Sequence, residues 1–200
     1  VAGVAAMLAT AHAIALVGLE AHVVRVEVQS GRGTASFDVV GLPEATVRES
    51  RVRVRAALER VGVLLHSHCL TVNLAPADLR KNGSGFDLAI ALGVLGAVGA
   101  VPEASFEHVH FLGELSLTGA VRPVKGVLPI ALRARAEGKV GLLVPPDNAA
   151  EAAVVSGLQV IPIQNLREAV SFLEGETKIS PTKVDIARIF EQAPDGELDF

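Results

Sequence analysis

The sequence contains no tryptophan and no tyrosine, and its only aromatic residues are seven phenylalanines. A core built without the larger rings must come from Val, Leu, Ile and Ala, the composition of sheets buried beneath helices, which places the chain in the α/β or α+β class. The single cysteine, Cys69, lies in a hydrophobic run, so no intramolecular disulfide can form and a cytoplasmic setting is expected. No charge of one sign dominates either. Eighteen basic against 22 acidic side chains leave a formal net charge of −4, so contact with nucleic acid would need a local basic patch. Apolar runs of membrane length are also missing. Val1 to Leu19 is uncharged but has no basic flank and is broken by Thr10, His12 and Gly18, and Leu88 to Val101 stops after 14 residues at Pro102. The first reads as a buried strand region and the second as a buried helix, so no membrane contact is expected. Met7 is the sole methionine, and residues 1–6 are expected to be an expression remnant or a misplaced start.

What the 200 residues do contain is enough for one main domain with a tail. His22 to Ser30 alternates and is rich in β-branched residues, and Ala35 to Gly41 repeats the signal after the turn "GRGT", which predicts a hairpin of these two strands. After Pro43, residues Val47, Val54, Leu58 and Val61 form one helical stripe that ends at Gly62. "CLTVNLA" then reads as a strand, followed by a polar loop and a helix starting near Gly85 or Phe86. Two short strands are expected around Thr118-Gly119, then a helix from about Val127 to Glu137. The last third is a β-α-β-α run: "VGLLVP", "DNAAEAAVVSG", "LQVIPI" and "NLREAVSFLEG", expected to form parallel strands with a right-handed crossover. From Glu176 the chain is polar and punctuated by prolines, which predicts a linker over 176–200 holding one short amphipathic turn around Val184 to Phe190.

Several stretches bear on chemistry. "KNGSGFD", Lys81 to Asp87, joins a strand to an apolar helix through a glycine-rich turn. A nucleotide-binding P-loop places its lysine after the glycines and a Ser or Thr next, so that backbone N–H groups and the ammonium meet the phosphates together. Here the lysine comes first, and Gly138-Lys139 is followed by Val140, so a nucleotide-hydrolysing core is excluded. An anion could still sit at the start of the Phe86 helix, but Asp87 complements that helix dipole itself. Ser84 on the tight turn could act as a nucleophile with a desolvated lysine as base. His66-x-His68 and His108-x-His110 would share a face if extended, yet no acidic or cysteine cluster supports a metal site, and strand or rim histidines are the plainer reading. Arg48, Arg51 and Arg55 lie at helical spacing, with Arg53 and Arg60 on another side. The stripe could touch DNA phosphates or a neighbouring subunit's carboxylates, with Lys81 as a further contact. If Glu49 pairs with Arg53 and Arg55 with Glu59, the helix face is instead solvated and self-neutralised.

Three blocks carry a resemblance: "FDVVGLPEATVRESRVRVRAAL", "TVNLAPADLRKNGSGFDLAIALGVL" and "FLGELSLTGAVRPVKGVLPIALRARAEG", continued in order by "VPPDNAAEAAVV" and "LREAVSFL". Over about Met7 to Gly175 the chain resembles the N-terminal domain of the YifB/ComM family, the Mg-chelatase-like AAA+ ATPases. The resemblance implies an α/β (α+β) Lon-protease-like domain of the ribosomal-protein domain-2-like fold, mixed sheets with packed helices. It also implies a linker over 176–200 toward an absent AAA+ module, whose approach "GELDF" resembles. ATP and Mg would belong to that module, and no cofactor or metal is expected in this chain. Implied partners are the chain's own C-terminal AAA+ module, further copies in a hexameric ring, and DNA during branch migration in natural transformation.

In Lon-type peptidases the nucleophile stands two residues after the glycine of a "KDGPSAG"-like loop, and the catalytic lysine follows a "PVGG-small-K" pattern. Laid on "KNGSGFD" and "PVKGVLP", those positions fall on Gly85 and Leu128, with Ser84 one residue early and Lys125 three residues early. Both catalytic positions are thus lost, and the loop reads as a peptidase scaffold kept for its fold. A one-residue shift would restore Ser84 but leave Lys125 displaced. Two rival readings remain: a Ser84/Lys125 peptidase, and an autonomous DNA-binding domain using the arginine stripe.

Overall fold

A computed structural model describes residues 7–66 and 68–184. The first strand, β1 (Met7–Val17), turns at Gly18 and returns as β2 (Glu20–Arg32), the two pairing antiparallel along their whole length. β3 (Ser36–Val40) follows, then α1 (Ala45–Arg60) and β4 (His68–Ala75), giving a four-stranded sheet in the order β1-β2-β4-β3. The hairpin expected between the second and third strands is not formed. β2 pairs antiparallel with β4, and β3 pairs parallel with the far side of β4. The three residues Gly33 to Ala35 span roughly 10 Å when extended, enough to step across one intervening strand. α1 supplies the crossover that brings β4 into that gap.

The α1 stripe closes the large core. Val47, Val54, Ala57 and Leu58 are buried, with Val61 half-buried at the end of the helix. α2 (Asp87–Ala97) has all 11 residues buried, wedged against β1, β2 and α1, as an apolar run without a polar face requires. A 3-10 turn over Glu103–Phe106 leads to β5 (Val109–Phe111), and β6 (Glu114–Leu115) pairs antiparallel with β7 (Val121–Arg122) around Thr118-Gly119. β8 (Gly141–Val144) and β9 (Gln159–Pro162) run parallel to β5 in the order β5-β8-β9, as the β-α-β pattern predicts. α3 (Val127–Ala136) and α4 (Pro146–Ala153) cover that sheet with a second core around Ile130, Leu142, Val144 and Val160. α5 (Leu166–Leu173) is capped by Asn165, whose side chain accepts from the Glu168 N–H at 2.9 Å. The arrangement is the mixed α/β fold expected of a Lon-like domain. No described helix is long and apolar enough to cross a membrane. The turn expected around Val184 to Phe190 lies, beyond Val184, outside the described residues, as do residues 1–6.

Candidate functional site

Three connections converge on one cleft of about 390 Å³: the edge of β1 at Ile14 to Leu16, the loop before α2, and the loop between β7 and α3. Ser84, Gly85 and Lys125 all line it, over a floor that includes Ile14, Leu112 and Ile130. Gly126 shapes the rim. Its φ is +75°, and a Cβ there would stand 2.2 Å from Leu16 Cδ1, so only glycine allows the chain to turn into α3 this close to β1. Ser84 uses its carbonyl to accept from the Asp87 N–H at 3.2 Å, and no hydrogen bond joins its hydroxyl to Lys125 among the described residues. Leu128 lies outside the cleft, 39% exposed on α3, with its N–H donating to Glu151 Oε1 at 3.1 Å.

The loop that carries Ser84 is held at both ends by buried charges, Lys81 and Asp87, whose partners lie elsewhere in the sequence. Lys81 was a candidate surface contact, but it is fully buried: its ammonium donates to the carbonyls of Gly41, at 2.8 Å, and of Pro76. It therefore cannot meet a phosphate or a neighbouring subunit. Its backbone also bridges to Leu42 and Glu44, clamping the β3–α1 loop to the loop before α2. Burial pushes the Lys81 ammonium down, with Asp78 opposing. Asp87, also fully buried, accepts from Arg53 Nε at 2.6 Å, from Arg53 Nη2 at 3.1 Å and from the Leu115 N–H at 3.0 Å. Burial pushes its carboxyl up, and the Arg53 and Leu115 hydrogen bonds pull it back down. A carboxylate thus fills the start of α2. A buried carboxylate at this helix start is ill-suited to the phosphates of a nucleotide.

The arginine stripe is exposed. Arg48, Arg51 and Arg55 point outward from α1, and Arg51 and Arg55 line an open groove of about 620 Å³ against Ser36 to Asp38 of the edge strand β3. The two pairs that would neutralise this helix are absent. Arg53 turns to Asp87 instead of Glu49, and Arg55 has no carboxylate within salt-bridge reach among the described residues. Arg48 donates to the Pro43 carbonyl at 2.9 Å. Nothing in the local sequence marks Arg53 as different from its neighbours, because its partner lies 34 residues away.

His108 and His110 do not act as a pair. His108 is exposed, whereas His110 is fully buried with neither ring nitrogen hydrogen-bonded among the described residues. His110 meets His12 edge to face instead, with ring centroids 6.0 Å apart. Burial pushes it down to about 3, with His12, Lys139 and Arg133 acting in the same direction. Among the described residues no group of three or more His, Cys, Asp or Glu side chains could hold a metal.

The geometry can be set beside known proteins. The family model described as subunit ChlI of Mg-chelatase matches residues 26–148, more than half of the chain. This chain belongs to that family. All three blocks that carry the resemblance lie within the match, and with them the loops of the cleft and the arginines of α1. The competence protein ComM of Haemophilus influenzae is 40% identical over 181 residues, covering 90% of this chain and 35% of that protein. YifB of Escherichia coli is 36% identical over 176 residues, covering 88% of this chain and 35% of the relative. The YifB/ComM resemblance is thereby borne out, and the chain spans about a third of the length of these relatives. Lon protease 2 of Bacillus subtilis is 23% identical over 163 residues, 77% of this chain and 29% of that protein, a likeness that bears on the fold.

Proposed function

We propose that this chain is the non-catalytic N-terminal domain, residues 7–175, of a cytoplasmic ComM/YifB-type AAA+ ATPase. In this reading it orders a hexameric ring of such subunits and engages DNA during branch migration in natural transformation and recombination. Residues 176–200 lead to the ATPase module, where ATP and Mg act. The observation that carries DNA engagement is the exposed stripe of Arg48, Arg51 and Arg55, none of which has a carboxylate within salt-bridge reach among the described residues. Exposed guanidinium groups along one helix are suited to successive phosphates, with which they make strong charge-assisted hydrogen bonds. The test is a titration of the 200-residue chain against fluorescent single-stranded, duplex and four-way-junction DNA, beside an R48A/R51A/R55A variant. Binding by the wild type that weakens with salt and is lost in the variant supports the reading. Absence of binding by a folded wild-type chain removes DNA engagement and leaves ring assembly.

A second reading has one observation in its favour: Ser84 and Lys125 share a cleft. As a Ser-Lys peptidase the chain would need the lysine within hydrogen-bond reach of the hydroxyl, and they are not so joined. The proposed function predicts that a fluorophosphonate probe leaves Ser84 unlabelled. Labelling that is abolished by S84A and by K125A would favour the peptidase instead.

A further inference from the structure

A second basic site lies on the opposite flank of α1 from the arginine stripe. Five residues separate Arg55 from Arg60, which turns the side chain about 140° around a helix of 3.6 residues per turn. There, at the end of α1, Arg60 meets Arg167 of α5 in an open notch of about 470 Å³ that also includes Thr118 and Asn165 and has no carboxylate in its wall. Arg167 Nη2 donates to the Arg60 backbone carbonyl at 2.7 Å, which anchors that guanidinium while leaving its other N–H groups to the notch. The turn at Gly119 is tied to the start of α5 by the Leu166 N–H, so the wall that carries Arg167 is fixed to the β6–β7 pair. Of the acidic residues next to them in sequence, Glu168 beside Arg167 accepts from the Gln164 N–H at 2.6 Å, and Glu59 beside Arg60 lines the groove of Arg51 and Arg55. Among the described residues neither Arg60 nor Arg167 has a carboxylate within salt-bridge reach.

Two arginines that line one notch without a carboxylate in its wall suit an anion with several acceptor oxygens. Between this notch and the stripe runs the exposed outer face of α1 around Val52, while Glu59 stands in the groove that Arg51 and Arg55 line. A helix with its side chains is about 10–12 Å across, comparable to the roughly 12 Å width of the major groove that separates two backbones of a duplex.

We propose that the domain holds two DNA backbones at once, one on the Arg48/Arg51/Arg55 flank of α1 and the other at Arg60 and Arg167, and so favours duplex or branched DNA over a single strand. The proposal rests on the DNA-binding reading above and adds to it a second contact and a preference for paired strands.

The test compares the wild-type chain with R60A, R60A/R167A and R60K/R167K, using fluorescent single-stranded, duplex and four-way-junction DNA over a range of salt. R60A removes an exposed side chain and leaves the carbonyl that Arg167 uses, so its fold should be unchanged. The double-alanine variant is expected to lose duplex and junction affinity by about tenfold, with a log–log salt slope shallower by about two, while single-strand affinity is retained. R60A should show about half the change in slope, and the lysine variant should recover it. Duplex affinity unchanged in R60A/R167A but lost in R48A/R51A/R55A would overturn the second contact and leave the DNA reading in place. Equal losses on single-stranded and duplex DNA would overturn the two-backbone arrangement. No binding of any DNA by the wild type would remove both.

Discussion

His110 concentrates the chemistry of a buried ionisable group in one side chain. It is fully buried, its nitrogens have no hydrogen-bond partner among the described residues, and its surroundings hold it down to about 3 against an ordinary value of 6.5. Between those values the unfolded chain binds a proton that the folded chain refuses, so stability is full above about pH 6.5 and falls as the pH drops toward 3. The slope has a limit of about 1.4 kcal/mol per pH unit for one group. Replacing His110 with Leu should flatten this acid limb in denaturation curves taken from pH 7 to 4. An acid limb as steep as that of the wild type would assign the loss to other groups. His12, whose ring packs against His110 and is also pushed down, first by burial and then by Lys139 and Arg25, would be the next to replace.

At the scale of elements, the tie between α1 and α2 is the Arg53–Asp87 pair, 2.6 Å at its shorter contact. Arg53→Met leaves a buried carboxylate without its cation, and such a loss costs about 3–5 kcal/mol. The cost should shrink as the pH falls. Without its cation the folded Asp87 carboxyl is held above its ordinary value of 3.8, the folded chain takes up the proton first, and acid then favours the fold. An R53M/D87L double variant should be more stable than R53M alone, since no buried charge remains. Urea midpoints at pH 7 and pH 5 would check both points, and a double variant as weak as the single one would contradict them.

The same elements mark what could be read before the fold was seen. The α1 stripe, the buried α2 and the parallel β8-β9 run carry their periodicity in local sequence, and each formed close to its expected bounds. The β2–β3 hairpin did not, because alternation identifies a strand without naming its partner, and β4, which begins 36 residues after β2 ends at Arg32, takes the place between them. The cleft was legible as loops of interest. That Lys81 sits beneath the loop and that Arg53 serves Asp87 depends on contacts between distant segments, which no local spacing encodes. Arg60 and Arg167, 107 residues apart, were invisible as a pair for the same reason.

For the whole molecule, two cores set the surfaces that remain for function. The larger joins the four-stranded sheet to α1 and α2, and the smaller packs α3 and α4 around β8. The cleft with Ser84 and Lys125 opens where they meet, since its lining draws on Phe86 from one and on Ile130 from the other. α1 is buried on its inner side and presents arginines on both flanks, so the outer surface of one helix bears the charge through which the domain would meet a polyanion. That concentration matters because the net charge of −4 offers no attraction of its own.

The most direct measurement is the affinity of the wild-type chain for duplex DNA as a function of salt. The arginine stripe predicts that log affinity falls linearly with log salt, with a slope of about −3 or steeper from three or more displaced counterions. A flat response, or no binding at low salt by a chain that is folded, would contradict a role for this domain in holding DNA.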